Sequence, residues 1–268
     1  MNIRLAFLTA LICLAALPAR AQGGIDELVR IEVIDGGRTA DGRYLAGLRI
    51  VLADGWKTYW RAPGEAGIPP QLSWNGSRNV GAVDITWPTP LVFDQSGIRT
   101  IGYKDELVLP LTITPDNDGK PVRLAGEIDF GICSDVCVPA YLSFDHQIDR
   151  QAGRNPAIAA ALAQRPYSAD EAKVANAACL LEPTADGIEI EARIDMPSAG
   201  GTEIAVIETG NPELWVLNTE SRRSGGAITA SGLIEGFGGG SMVLDRSQIR
   251  ITVLGQSYAV DIRGCAAG

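Results

Sequence analysis

The stretch that most constrains this chain is Phe130-Gly131-Ile132-Cys133-Ser134-Asp135-Val136-Cys137-Val138-Pro139. Two cysteines stand with three residues between them, flanked by runs that read as β-strands. In an extended chain their α-carbons would lie about 13 Å apart. A disulfide needs roughly 4.4–6.8 Å. The chain must therefore bend here if the two are joined, and Ser134 and Asp135 are turn formers. Pro139 holds Val138 extended, so the bend cannot continue as a helix.

Beyond Cys13 near the N-terminus, Cys179 and Cys265 are the other cysteines of the chain. Four cysteines allow three pairings, and sequence alone does not choose among them. Proximity favours Cys133–Cys137, which leaves Cys179–Cys265. The chain-entropy model assigns roughly 2 kcal/mol to so short a loop and about 4.6 kcal/mol to the 87-residue one. The long bridge is thus the one expected to brace the fold. The short pair suits opening and closing, with a plain structural bridge and a metal site as the alternatives.

Residues 1–21 read as a cleaved signal peptide: Arg4 starts it, Leu5 to Leu17 is apolar, and Ala19-Arg20-Ala21 fits a small-x-small site. The apolar run is too short to span a bilayer. Cys13 leaves with it, and no later segment is apolar enough to cross a membrane. A soluble protein of the periplasm is expected, in an oxidising compartment that favours disulfides. The formal charge of −9 becomes −11 once Arg4 and Arg20 are removed. That balance argues against nucleic acid or an anionic membrane as partner.

Alternation of apolar and polar residues marks strands from Ile25 to Val33 and from Tyr44 to Leu52. Asp54 to Trp74 is rich in aromatics and prolines and reads as ordered loop. Trp56, Tyr59 and Trp60 either pack in the core or wall the cysteine site. Pro88 to Asp105 lacks clear periodicity and reads as a long, functional loop. Strands are expected around Leu72–Trp74, Val83–Trp87, Leu107–Thr114, Val122–Phe130 and Tyr141–Ile148. Asn155 to Gln164 should form a helix, capped by Asn155 with Pro156 in its first turn, bridging two domains. Strands return from Ala178, separated by glycine-rich turns such as 236–240. The expected fold is all-β: two β-sandwich domains, 22–150 and 178–268, joined by a short helical linker, 151–177.

Asp54-Gly55-Trp56-x-x-Tyr59, Tyr103-x-Asp105-x-Leu107-x-Leu109-Pro110 and Cys133…Cys137-x-Pro139 resemble the N-terminal periplasmic domain of the thiol:disulfide interchange protein DsbD. The likeness to the periplasmic part of the suppressor-of-copper-sensitivity protein ScsB is closer and extends over the second β domain. This resemblance implies immunoglobulin-like domains and an electron relay in which Cys133 and Cys137 cycle between dithiol and disulfide. It implies a thioredoxin-like or membrane-embedded thiol reductant and oxidised periplasmic client proteins as partners, with no cofactor. It also implies an aromatic cap, for which the segment Leu91 to Tyr103 and above all Phe93 are the candidates. Phe93, Tyr103, Trp56 and Tyr59 are accordingly the expected shields of the site. Cys137 is the expected point of attack. The cysteine spacing is three here and five in the DsbD domain, so turn geometry and potential need not transfer.

No Lys, Arg or His lies within three residues of either cysteine, and Asp135 lies between them, so low thiol pKa values are not expected. His146, the one histidine, reads as ordinary strand packing. The rival reading joins it to Cys133 and Cys137 in a Cu(I) or Zn site, and would give a copper-handling protein. Met196 and Met242 are remote from the cysteines in sequence. A third reading is a non-catalytic interaction module. No Gly-x-Ser-x-Gly occurs, and a single histidine leaves little for a hydrolytic triad.

Overall fold

The computed structural model describes residues 24–95, 97–236 and 243–268. The expected signal peptide with Cys13, the turn 237–240 and Met242 lie outside the described residues.

The first half opens with a helical turn, α1 (Ile25–Leu28), where alternation suggested strand. Ten strands follow: β1 (Val29–Arg38), β2 (Tyr44–Leu52), β3 (Lys57–Gly64), β4 (Gln71–Ser73), β5 (Ala82–Ile85), β6 (Leu91–Gln95), β7 (Ile98–Lys104), β8 (Glu106–Thr114), β9 (Arg123–Cys133) and β10 (Cys137–Gln147). Helix α2 (Pro156–Ala163) separates them from β11 (Tyr167–Ser168), β12 (Asn176–Pro183), β13 (Ile188–Asp195), β14 (Ile204–Glu208), β15 (Leu214–Ser224), β16 (Ala227–Gly236), β17 (Arg250–Leu254), β18 (Ala259–Arg263) and β19 (Ala266–Ala267).

Two sheets form the first sandwich. One runs β1-β2-β8-β5; the other runs β10-β9-β3-β7-β6, with β4 also on β9. Between them lies one core that includes Tyr44, Leu48, Ile50, Trp60, Leu109, Phe130 and Ile132. Each contributes every second residue of its strand, the pleat sending the others outward. The second sandwich pairs β11-β18-β17-β14 with β15-β16-β13-β12-β19. Its core includes Cys179, Ile190, Ile194, Ile228, Ile251 and Val260. The fold is all-β and immunoglobulin-like.

Two segments read as loop are strands. Asp54 to Trp74 contains β3 besides β4, where a strand was expected around Leu72–Trp74, and Pro88 to Asp105 contains the hairpin β6–β7. Proline misled in the first case. Pro63 lies within the register shift between Tyr59 and Gly64, where the β3–β7 ladder is interrupted and a missing N–H costs little. In the second, Leu91, Val92 and Ile98 are exposed, so the hairpin never shows the buried alternation of a core strand.

Helix α2 has the expected cap: the Asn155 side chain accepts from the Ala157 amide at 2.9 Å. It packs on the first sandwich, where Ile158 is buried with Val108 beside Ile34. A Cβ on Gly47 would come within 3.0 Å of the Ile158 side chain, so glycine is what lets the helix lie this close.

The two sandwiches meet through Arg61 at the far end of β3. Its guanidinium donates to both Glu208 carboxylate oxygens at 3.0 Å and to Thr252 Oγ1 at 3.1 Å. It also lies over the Trp60 ring, 4.0 Å from the centroid. Leu254 and Ala259 of the second sandwich join the core of the first.

Within the second sandwich, Glu203 is buried and accepts from the Ala199 amide and from two Arg223 nitrogens. Burial alone raises its carboxyl pKa; Arg223 and the Ala199 amide outweigh that and hold it below the ordinary 4.5. A depressed folded pKa adds stability that is complete above the unfolded value and is lost as pH falls through the folded one. Glu203→Gln is therefore expected to flatten the decline in urea midpoint below pH about 4.5. An unchanged slope in that variant would assign the acid sensitivity elsewhere.

Candidate functional site

Cys133 ends β9 and Cys137 begins β10, and the two stand directly opposite in the antiparallel register. The turn 134–136 between them is closed by the Ser134 amide donating to the Val136 carbonyl at 3.2 Å. The α-carbons come to 4.1 Å and the sulfurs are bonded. The two cysteines are not equivalent in exposure. Cys133 is 1% exposed, whereas Cys137 is exposed on β10, an edge strand. The edge also explains Pro139 in the middle of a ladder: an edge strand tolerates a residue without an N–H. Val136, at the tip of the turn, is 67% exposed.

Tyr59 comes to the sulfurs from the neighbouring strand. Its hydroxyl lies 2.8 Å from Cys133 Sγ and 3.3 Å from Cys137 Sγ. Bridged sulfurs carry no proton, so the hydroxyl is the donor. Burial raises its pKa, which keeps that proton in place at neutral pH. The ring is held between two glycines. A Cβ on Gly67 would meet Pro63 Cβ at 2.2 Å and Tyr59 Cδ1 at 2.7 Å; one on Gly131 would meet Ile68 Cβ at 2.8 Å and Tyr59 Cε2 at 3.0 Å. The loop carrying Gly67 and Ile68 thus lies over the ring.

Of the four aromatics expected to shield the cysteines, the structure brings Tyr59 to them. Trp56 and Tyr103 go elsewhere. Trp56 shares the parity of Thr58 and Trp60, which point into the sandwich, and it packs against that core. Tyr103 stands opposite Thr58, is buried in the same core, and donates from its hydroxyl to the Pro88 carbonyl at 2.7 Å. Burial holds its pKa well above the ordinary value. Phe93 is half-buried on β6, and its ring lies under the Lys57 ammonium, 4.9 Å from the centroid.

Lys57 is the residue that reasoning along the chain missed. It is paired in register with Cys133, and partners in a ladder share a face. It is 8% exposed, and its ammonium donates to Thr100 Oγ1 at 3.2 Å. Burial lowers its pKa. The cysteines therefore do have a basic neighbour, across the sheet instead of along the chain. Strand parity could have found it: once Tyr59 is placed over the sulfurs, Lys57 lies on the same face.

His146 does not join them. It lies nine positions beyond Cys137 on β10, about 30 Å along a strand. Its Nε2 is 2.8 Å from Asp35 Oδ2. The three-ligand arrangement with Cys133 and Cys137 is thereby ruled out by geometry. Among the described residues, no three or more His, Cys, Asp or Glu side chains are grouped as a metal site. A cavity of about 650 Å³ opens between the sandwiches beside Arg61, Pro63 and Trp215 and includes neither cysteine.

Cys179 and Cys265 form the second bridge. Cys179 is fully buried on β12, and Cys265 precedes β19, which adds to β12 in parallel.

With this geometry in view, residues 35–147 match the family model of the thiol:disulfide interchange protein DsbD, N-terminal. The first sandwich is thus the part of the chain that is similar to that family. Its match contains β3, the β6–β7 hairpin and both bridged cysteines of the turn. The likeness in fold extends past it. The crystal structure of the N-terminal periplasmic domain of ScsB from Proteus mirabilis superposes with a TM-score of 0.68, covering 92% of this chain and 97% of that one at 20% identity. No curated protein sequence matches. Both sandwiches of this chain therefore share their fold with that structure. Among the described residues, no helix is long and apolar enough to cross a membrane.

Proposed function

We propose that this protein carries out thiol–disulfide exchange in the periplasm through Cys133 and Cys137, passing electrons from a thiol reductant to oxidised client proteins. The observation that carries the reading is the asymmetry of the short bridge: one cysteine exposed, the other buried, and a tyrosine hydroxyl on both sulfurs. The likeness to DsbD and ScsB domains agrees with it. The reductant is of the thioredoxin-like or membrane-embedded class. Residues 1–21 act as the export signal and are removed. Cys179–Cys265 is a structural brace.

A partner thiolate attacks Sγ of Cys137, the exposed cysteine. A bond forms between the partner sulfur and Cys137, the Cys133–Cys137 bond breaks, and its electron pair leaves on Cys133 as a thiolate. Tyr59 donates its hydrogen bond to that thiolate, where charge appears. A second partner thiolate then attacks its own sulfur in the mixed disulfide and releases Cys137. With two protons taken up, the pair is a dithiol and the partner a disulfide. The reverse sequence reduces a client.

Trapping tests both the chemistry and the point of attack. Cys133→Ser leaves the exposed cysteine and is expected to accumulate mixed disulfides in the cell envelope; Cys137→Ser leaves the buried one and is expected to accumulate few. Adducts absent from both variants would remove the exchange reading. Adducts mainly on Cys137→Ser would reverse the roles of the sulfurs. The Tyr59→Phe variant keeps the ring between Gly67 and Gly131 and loses only the donor, so its rate of bridge reduction should fall by roughly tenfold, the effect of about 1.4 kcal/mol.

A further inference from the structure

We infer that the cleft between the two sandwiches is a second binding site, which takes an extended acidic segment of another polypeptide as an added strand. The inference stands apart from the exchange reading, since neither Cys133 nor Cys137 lines this space. Three observations carry it.

The first is a pair of open strand edges. β14 ends one sheet of the second sandwich and β15 ends the other. Side chains alternate along a strand, so a run of neighbours lines one space only where that space meets the strand's edge. Every residue of β14 lines the cavity of about 650 Å³, and so does the run 214–217 of β15. The Ala205 amide shows which way the β14 edge faces: it donates to Ser221 Oγ of β15 at 2.9 Å. In an antiparallel strand the N–H and C=O of alternate residues point the same way, so those of Ile207 point into the same gap. At the far end of the gap Thr209 Oγ1 donates to the Leu214 carbonyl at 3.1 Å. Between these two closures, and among the described residues, β14 has no ladder partner on that side. A bare edge is a template for one more strand.

The second is the lining. Pro63, Ile204, Val206, Leu214 and Val216 give the cleft apolar walls. Its volume falls within the roughly 300–1,000 Å³ of ordinary ligand sites, and a junction between domains is a common place for one. In strand addition the backbone supplies affinity, and such walls receive alternate apolar side chains.

The third is charge. In a chain of net charge −9, this cleft is lined by Arg61, Arg99, Arg250 and Arg263 against Glu65 and Glu208. Glu208 is engaged by Arg61, and Arg250 is matched by Asp261. Arg99 has no ion pair among the described residues; Asp94, its ladder partner, accepts from the Gly97 amide instead. Arg263 is mostly exposed and comes no closer than 3.9 Å to Asp261. Glu65 thus stands against two weakly matched cations. Burial lowers the Arg61 pKa, and Glu208 offsets that only in part, so the cleft favours a further carboxylate. The arginines make the occupant acidic; the open edges make it a polypeptide and not a small acid.

The test uses the full chain and dye-labelled, end-blocked hexapeptides in which glutamate alternates with valine or leucine, each beside its glutamine counterpart. Fluorescence anisotropy reads the affinity. The glutamate peptides are expected to bind, and the glutamine ones about tenfold more weakly. Arg99→Ser/Arg263→Ser should weaken the glutamate peptides about tenfold and leave the glutamine ones unchanged. Arg99→Lys/Arg263→Lys should keep most of the affinity. Hydrogen exchange reads the added strand: bound peptide should slow exchange of the Ile207 amide. Should the double serine variant fail to fold, Arg263→Ser alone, at an exposed position, carries the comparison. No binding by any peptide, binding indifferent to the arginines, or a bound peptide that leaves the Ile207 amide unprotected overturns the inference. Glutarate binding as tightly as the peptides would make the cleft a small-acid site and overturn it too. Because the peptides carry no cysteine, the result is separate from that of the trapping variants.

Discussion

Replacing Cys179 and Cys265 together by alanine is expected to destabilise the protein by about 4 to 5 kcal/mol, against about 2 kcal/mol for the same change at Cys133 and Cys137. The reason is loop length. Sequence separation is 86 for the long bridge and 4 for the short one, so the long one removes far more freedom from the unfolded chain. Location adds to it. Cys179 sits in the second core at zero exposure, and the bridge holds the tail that supplies β19 to β12. Urea unfolding of the two double variants measures the difference directly. Exchange activity should follow the opposite order, lost with the short bridge and kept with the long one. A short-bridge variant that lost more stability than the long-bridge variant would exchange the two roles.

Arg61→Met should cost about 3 kcal/mol, close to the long bridge in size and unlike it in mechanism. Arg61 is an interior cation between the two sandwiches, with Glu208 as its two-pronged partner and Asp261 within 3.8 Å. Removing it leaves Glu208 half-enclosed without its counter-charge and takes away a stack on Trp60. The loss comes from the stranded carboxylate more than from the lost bond. The double variant Arg61→Met/Glu208→Met should therefore recover most of the stability. Chemical denaturation of wild type, both single variants and the double variant closes the cycle. If the double variant were as unstable as the sum of the singles, the two residues would be acting independently.

The candidate site was partly legible along the chain. Two cysteines close in sequence can be joined only by a bend, and Ser134, Asp135 and Pro139 mark it. Tyr59 was visible as an aromatic near a glycine turn, and it reaches the sulfurs. Trp56 and Tyr103 looked equivalent to it and are not. The difference is parity on β3 and β7, and parity has meaning only after a segment is known to be a strand. With Pro63, Pro69 and Pro70 close by, that segment read as loop. Lys57 was lost for the same reason: 76 positions from Cys133 in the chain, it is adjacent only across the ladder. His146 sits as ordinary strand packing would have it, and the rival placement beside the cysteines fails. It shares a strand with Cys137, but an extended strand carries it away from the site.

What the residue order determined by itself is local. It includes the bend at 134–136, the capped helix after Asn155, and most strands whose one face is buried, because each follows from neighbours a few positions apart. What only the tertiary structure decided is which groups meet. Strand pairing placed Lys57 and Tyr59 beside Cys133, left Cys137 on an open edge, turned Tyr103 inward and set Arg61 between two domains. The physical reason is that ladder register joins residues at any separation in the chain. The apolar pattern selects which face of a strand is buried, and the assembled sheet selects its neighbours.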